Sequence, residues 1–155
     1  MSRYEFPESD VADPLLLEDV GPLLPVTLTV PIPRKRYLEQ RGLKADAQWS
    51  GYALIDTGAA VSGVSERVMR QLEIPSIDEV ETTTPHGEGW SRTYNASASF
   101  PDIDLPDVPL EHVLGCYLGE PQPGGREIGM LRGRDLLRGL VVTYDGPNSR
   151  VVVTT

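Results

Sequence analysis

The chain has 155 residues, 23 of them acidic and 14 basic, for a formal net charge of −9; that length suits one domain whose core needs no covalent staples. Its single cysteine, Cys116, excludes an internal disulfide framework, and an acidic surface repels phosphate, which argues against nucleic acid or an anionic membrane as partner. No apolar run approaches a membrane span, and Glu5, Glu8, Asp10 and Asp13 stand where a secretory signal would be basic and then apolar, so the expected location is cytoplasmic.

Residues 1–24 are acidic, broken by Pro7, Pro14 and Pro22, and read as a flexible N-terminal arm with one apolar patch at Leu15-Leu16-Leu17. Residues 25–155 read as the domain. Val26, Leu28 and Val30 alternate with Thr27 and Thr29, a period-two strand that Pro31 and Pro33 end. Arg34-Lys35-Arg36 opens a mixed segment to Trp49. It reads as a solvated loop whose charge offsets the acidic surface, with a basic rim beside a cleft or acidic partner as the alternative. Trp49 and Tyr52 are expected to pack that loop on the sheet.

Tyr52-Ala53-Leu54-Ile55 then delivers Asp56-Thr57-Gly58-Ala59, and Ala60-Val61-Ser62-Gly63-Val64 follows as an expected return strand. A lone carboxylate between apolar runs costs several kcal/mol if buried without a partner, roughly, so such a placement points to chemical use. Thr57 offers a hydroxyl and Gly58 the freedom for a tight turn. A short helix is predicted from Ser65, its cap, with Val64, Val68, Met69 and Leu72 on one face and Pro75 beyond.

From Glu79 to Phe100 two strands are expected to meet at His86-Gly87-Glu88-Gly89 as a hairpin. Asp102, Asp104 and Asp107 alternate with Ile103, Leu105 and Val108, which puts carboxylates outward. They lack the glycine and terminal glutamate of a calcium loop. Val113–Leu118 reads as a buried strand and 121–125 as a loop. Ile128–Leu131 is a strand running into Gly133, and Arg134-Asp135-Leu136-Leu137-Arg138 a short helix. Leu140–Tyr144 and Arg150–Val153 flank Asp145-Gly146-Pro147-Asn148 as a closing hairpin. Its last strand, left unpaired, would invite a second copy.

In Asp56-Thr57-Gly58-Ala59, with its apolar flanks and Ser62, and in Ile128-Gly129-Met130-Leu131-Arg132-Gly133-Arg134-Asp135-Leu136-Leu137, the chain resembles the retropepsin-like aspartic proteases. The resemblance covers about residues 25–155. It implies a mainly β, single-lobe acid-protease barrel with a flap hairpin and one or two short helices. Asp56 would be the catalytic carboxylate, with Thr57, Gly58 and Ala59 completing the active-site loop. Gly87, Glu88, Gly89 and Trp90 would form a flap over substrate, with Trp90 and Tyr94 supplying an apolar underside. Leu131, Arg132 and Gly133 would support the loop from below. Arg132 departs from the family pattern, which has an apolar residue there. Its stem is expected to lie on apolar surface with the head in water or paired with Asp135.

Peptide hydrolysis of this kind needs one ionised and one protonated carboxylate. The chain holds no second D-T-G or D-S-G, so the resemblance implies a homodimer in which two Asp56 side chains meet on a two-fold axis and share a proton. Activity is then expected to favour mildly acidic pH. The implied substrate is an extended peptide or protein segment, with no cofactor and no metal. A catalytically weak or inactive peptide-binding or dimerisation module is the alternative. Other chemistries fit poorly. His112 and Cys116 are two ligands where a closed zinc site needs four. Cys116 reads as a core residue, Ser62 and Ser65 lack a G-x-S-x-G setting, and no Walker or dinucleotide loop is present.

Overall fold

The computed structural model describes residues 1–8, 13–121 and 125–155. The fold is mainly β, with two sheets and a few short helices. The larger sheet is built from β2 (Leu23–Thr29), β3 (Gln48–Ile55), β4 (Gly63–Ser65), β5 (Asp78–Thr84), β6 (Gly87–Ser99), β7 (Val108–Cys116) and β8 (Ile128–Arg132), in the order β2-β3-β8-β4-β7-β6-β5. Residues Thr27–Thr29 of β2 also pair with Ser97–Ser99 of β6, so the sheet closes on itself and β5 extends from β6 as the outer strand.

Alternation explains the closure. In β2, Leu24, Val26 and Leu28 turn inward and are essentially unexposed while Pro25, Thr27 and Thr29 face out. Ala53 and Ile55 of β3, Val64 of β4, Ala96 and Ala98 of β6 and Met130 of β8 fill the same interior. Trp49 is buried at the start of β3, its ring close against Gly51 and Gly129.

Helix α3 (Glu66–Gln71) forms where the apolar spacing predicts it. Ser65 Oγ accepts from Val68 N–H, and Val68 and Met69 are fully buried. The basic segment after β2 is a helix rather than a loop. Pro31 holds an extended conformation and Pro33 sits in the first turn of α2 (Ile32–Gln40), where its missing N–H costs nothing. This helix buries none of its residues. The Arg41 guanidinium lies 4.5 Å from the centre of the Tyr37 ring. Further along, β7 starts at Val108, earlier than expected, and stops at Cys116; Tyr117 is exposed.

The second sheet joins the two ends of the chain. β1 (Arg3–Phe6) pairs antiparallel with β10 (Arg150–Thr154), which pairs with β9 (Val141–Asp145). The N-terminal segment, expected to have little structure of its own, thus supplies a strand, and α1 (Leu16–Val20) follows with Leu17 buried. Tyr4, Phe6, Val151 and Val153 share the buried face. Ion pairs Arg150–Glu5 (3.5 Å) and Arg126–Glu8 (3.1 Å) hold the segment from outside. The last strand is therefore interior, and the free edge of this sheet beyond it is β9. The loop expected over 121–125 lies partly outside the described residues, as does Asp10. Among the described residues no helix is long and apolar enough to cross a membrane.

Candidate active site

β3 ends at Ile55, opposite Arg132 in the parallel pair with β8, and Asp56 opens a turn. Its N–H donates to Arg132 O at 3.0 Å. Asp56 Oδ1 accepts from Gly58 N–H (2.9 Å) and Ala59 N–H (3.2 Å), a turn in which the carboxylate caps its own loop. Among the described residues Oδ2 has no hydrogen-bond partner, and the residue is half-buried. Thr57 and Gly58 are exposed on the loop tip, with Ala59 half-buried behind them. The return strand is shorter than expected: the turn runs through Ala60 and Val61, and β4 begins at Gly63.

Three interactions brace the loop from below. Ser62, buried, donates through Oγ to Asp135 Oδ1 (2.7 Å) and accepts from Gly133 N–H (2.9 Å), while its own N–H donates to Asp135 Oδ2 (3.1 Å). The first residues of α4 (Arg134–Leu137) donate backbone N–H groups to Ala59 O (2.9 Å) and Ala60 O (3.3 Å). Arg134 Nη1 donates to Thr57 O (2.8 Å) and Gly58 O (3.1 Å). Local pattern gave Asp135 the helix start and an ion pair with Arg132, not Ser62 as its partner, and gave Arg134 no role beyond the helix. The available signal was the G-R-D order directly after an apolar strand, with Ser62 six residues beyond Asp56.

Gly133 is required here by close approach. A Cβ on it would stand 2.7 Å from both C and O of Val61 and 3.0 Å from Ala59 O, contacts with backbone that cannot swing aside. Leu131, Arg132 and Gly133 are thus brought against the loop, Leu131 half-buried and the other two buried.

Arg132 corrects an expectation. Its head is not in water and does not pair with Asp135: the residue is 3 % exposed. Nε and Nη2 both donate to Leu136 O (3.3 and 2.9 Å), and the guanidinium lies 4.3 Å from the Phe100 ring centre. Nη1 is buried with no partner among the described residues. Burial pulls its pKa down to about 10, against the opposing pull of Asp135.

The expected flap forms a hairpin, β5–β6, whose turn lies at Pro85-His86, slightly before the anticipated break. Gly87 takes a φ of +121°, a conformation closed to most side chains. Gly87, Glu88, Gly89 and Trp90 are exposed, Trp90 at 72 %. Tyr94, expected beneath the flap, is buried in the sheet interior instead. A 520 Å³ cleft lies between β5, β7 and the loop, lined by Val61, Ser62, Val80–Thr83, Pro109–Leu114, Asp135 and Leu136. The cleft lining includes the braced end of the loop and the hairpin's β5 strand, but neither Asp56 nor residues 87–90.

Cys116 is half-buried, donates to Val64 O at 3.4 Å, and has its thiol pushed up to about 11 by burial and then by Glu66, which suits a packing residue rather than a nucleophile. Among the described residues no group of three potential metal ligands is clustered. Comparison with protein-family models and with curated proteins gives no match for this chain.

Proposed function

We propose that the chain is an aspartic endopeptidase with a retropepsin-like barrel, which hydrolyses peptide bonds through a water activated by Asp56 of two copies. The observation that carries the reading is the Asp56 turn. One carboxylate oxygen is fixed by two backbone N–H groups, the other is open, and the loop is braced by Ser62, Gly133, Arg134 and Asp135. A group that must exchange protons with substrate benefits from such preorganisation, because no reorientation is needed as charge develops.

The rest of the cleft supports the reading. β5 is the outer strand of its sheet, and Val80–Thr83 line the cleft, so an extended peptide can pair with that edge while its side chains enter apolar space. Thr57 and Gly58, exposed beside Asp56, leave room for a second loop to approach. Since one carboxylate cannot serve as acid and base at once, the active species is a homodimer. A second reading is a peptide-binding or dimerisation module without turnover, favoured by the absence of Asp56 from the cleft lining.

Incubating the full chain with a mixed peptide library separates the two. The expected result is cleavage that disappears in Asp56→Asn while the variant stays folded and dimeric. Cleavage at an unchanged rate in that variant would remove Asp56 from the chemistry. Peptide binding without cleavage by the wild type would favour the module.

A further inference from the structure

The basic segment after β2 serves neither the core nor the candidate site. Residues 31–46 carry Arg34, Lys35, Arg36, Arg41 and Lys44, five of the chain's 14 basic residues, and only Glu39 and Asp46 of its 23 acidic ones. Among the described residues none of the five is in an ion pair, whereas Arg3, Arg67, Arg92, Arg126 and Arg150 each are. In a chain of net charge −9, a group of cations without acids beside them is the anomaly.

The needs of α2 itself do not explain them. Nine residues are too few for a helix to hold on propensity alone. Ile32, Tyr37 and Leu38 share no common stripe, and none of the helix is buried. Arg34, Lys35 and Arg36 crowd the end of the helix dipole that disfavours cations, and the first turn holds no acidic residue to offset them. The ties to the body are slight. Arg34 and Leu38, one turn apart, are half-buried, and Arg34 Nη2 donates to Glu73 O at 3.2 Å. Arg34 Nε is buried with no partner among the described residues. Ile32, Tyr37, Leu43 and Ile77 stand exposed around the helix.

Arg34 lies between two grooves. One, of 430 Å³, is bounded by the start of α2 and by β6 and β7, with Ile32, Ile74, Pro75, Ile77 and Leu110 in its lining. The other, of 310 Å³, is bounded by α2, the chain that follows it and the end of α3, with Leu38, Leu43 and Leu72 beside Lys44. We propose that α2 and these two grooves dock an acidic segment of a partner protein, whose aliphatic side chains enter the grooves and whose carboxylates meet the five cations. The occupant is the complement of the surface: apolar walls take aliphatic side chains, and unpaired guanidinium and ammonium groups take carboxylates. Asp107 and Glu111 of β7 also line the first groove, so the carboxylates of the segment belong on its α2 side. Nucleic acid or an anionic bilayer fits less well. α2 is only about 14 Å long, the rest of the chain is acidic and repels an extended polyanion, and phosphate does not fill an apolar groove. No residue of 31–46 lines the 520 Å³ cleft, so this surface is separate from the peptidase reading.

The test is fluorescence polarisation on the full chain carrying Asp56→Asn, so that no probe is consumed by cleavage. Two labelled twelve-residue peptides supply the stated chemistry. One alternates Leu and Glu; the other has Leu at i, i+3 and i+4 spacing with Glu between. At least one is expected to bind, and its counterpart with Lys in place of Glu is not. Lys35→Glu/Arg36→Glu, at two exposed positions, is expected to weaken binding at least about tenfold without lowering the thermal midpoint, because glutamate suits that end of a helix. Ile77→Ser is expected to weaken it about fivefold or more, through lost apolar contact in the groove. Failure of both peptides to bind, binding that survives the double charge reversal, no loss in Ile77→Ser, or equal binding of the Lys peptide overturns the proposal. So does tighter binding of a twelve-nucleotide RNA or of phosphatidylserine vesicles that the same charge reversal abolishes, which would make α2 a site for polyanions.

Discussion

At Arg132 a guanidinium occupies a place where packing alone would choose an aliphatic side chain. Its costs and gains are visible separately. Two N–H groups satisfy Leu136 O at the end of α4, and the Phe100 ring takes the cationic face, while Nη1 has no partner among the described residues. A buried charge that is only partly compensated is often replaced by an apolar side chain at no loss. Arg132→Met is therefore expected to leave stability within about 1 kcal/mol of wild type, or to raise it, since the thioether chain fills most of the stem's volume. Arg132→Ala leaves a cavity between β8, Phe100 and α4 and is expected to cost about 2–5 kcal/mol. Urea denaturation of both variants checks the pair. A large loss in Arg132→Met as well would mean that the charge, not the volume, holds α4 in place.

At the scale of elements, the candidate site is a crossing: the Asp56 loop runs over the junction of β8 and α4 with no space for a side chain at Gly133. Gly133→Ala keeps a backbone conformation that alanine accepts (φ −81°, ψ −179°), so any effect comes from the collision with Val61 and Ala59. The expected outcome is a fall in peptide cleavage of at least about tenfold, from a loop pushed off its brace, accompanied by a loss of stability of roughly 1–3 kcal/mol. Cleavage assays and urea melts on one preparation measure both. An active variant would mean that the crossing is not what aligns Asp56.

This crossing was half legible. The turn at Asp56, the strand ending at Arg132 and the short helix after it follow from local pattern, as do α3 with its Ser65 cap and the β9–β10 hairpin. What pattern missed is set by distant partners. Ser62 and Asp135 are 73 residues apart, and nothing local says that they meet. α2 was hidden because prolines at a strand end read equally as a loop and as a first helical turn. Tyr94 was misplaced because a thirteen-residue β6 belongs to the exposed β5–β6 hairpin at one end and to the core at the other.

For the whole molecule, the second sheet ties the chain's ends together, and its first strand is the least legible element. Four residues between Met1-Ser2 and Pro7, with only Tyr4 and Phe6 alternating, are too few to mark a strand; β1 exists because β10, nearly the full chain away, offers an edge. Once docked, it is part of the core. Phe6 is 1 % exposed, packed with Val151 and Val153, and overlain by the Arg126 guanidinium at 5.6 Å. Phe6→Ala is expected to cost about 3–5 kcal/mol, a large share of the 5–15 kcal/mol typical of a domain. Arg3→Ala, two pleats away and in an exposed ion pair, should cost no more than about 0.5 kcal/mol. Urea denaturation read by tryptophan fluorescence reports on Trp49 in the other sheet, so a shift there tests whether the two sheets melt together. A Phe6→Ala midpoint equal to that of Arg3→Ala would mean that the N-terminal strand is an appendage, and β10 would then stand open as a second free edge.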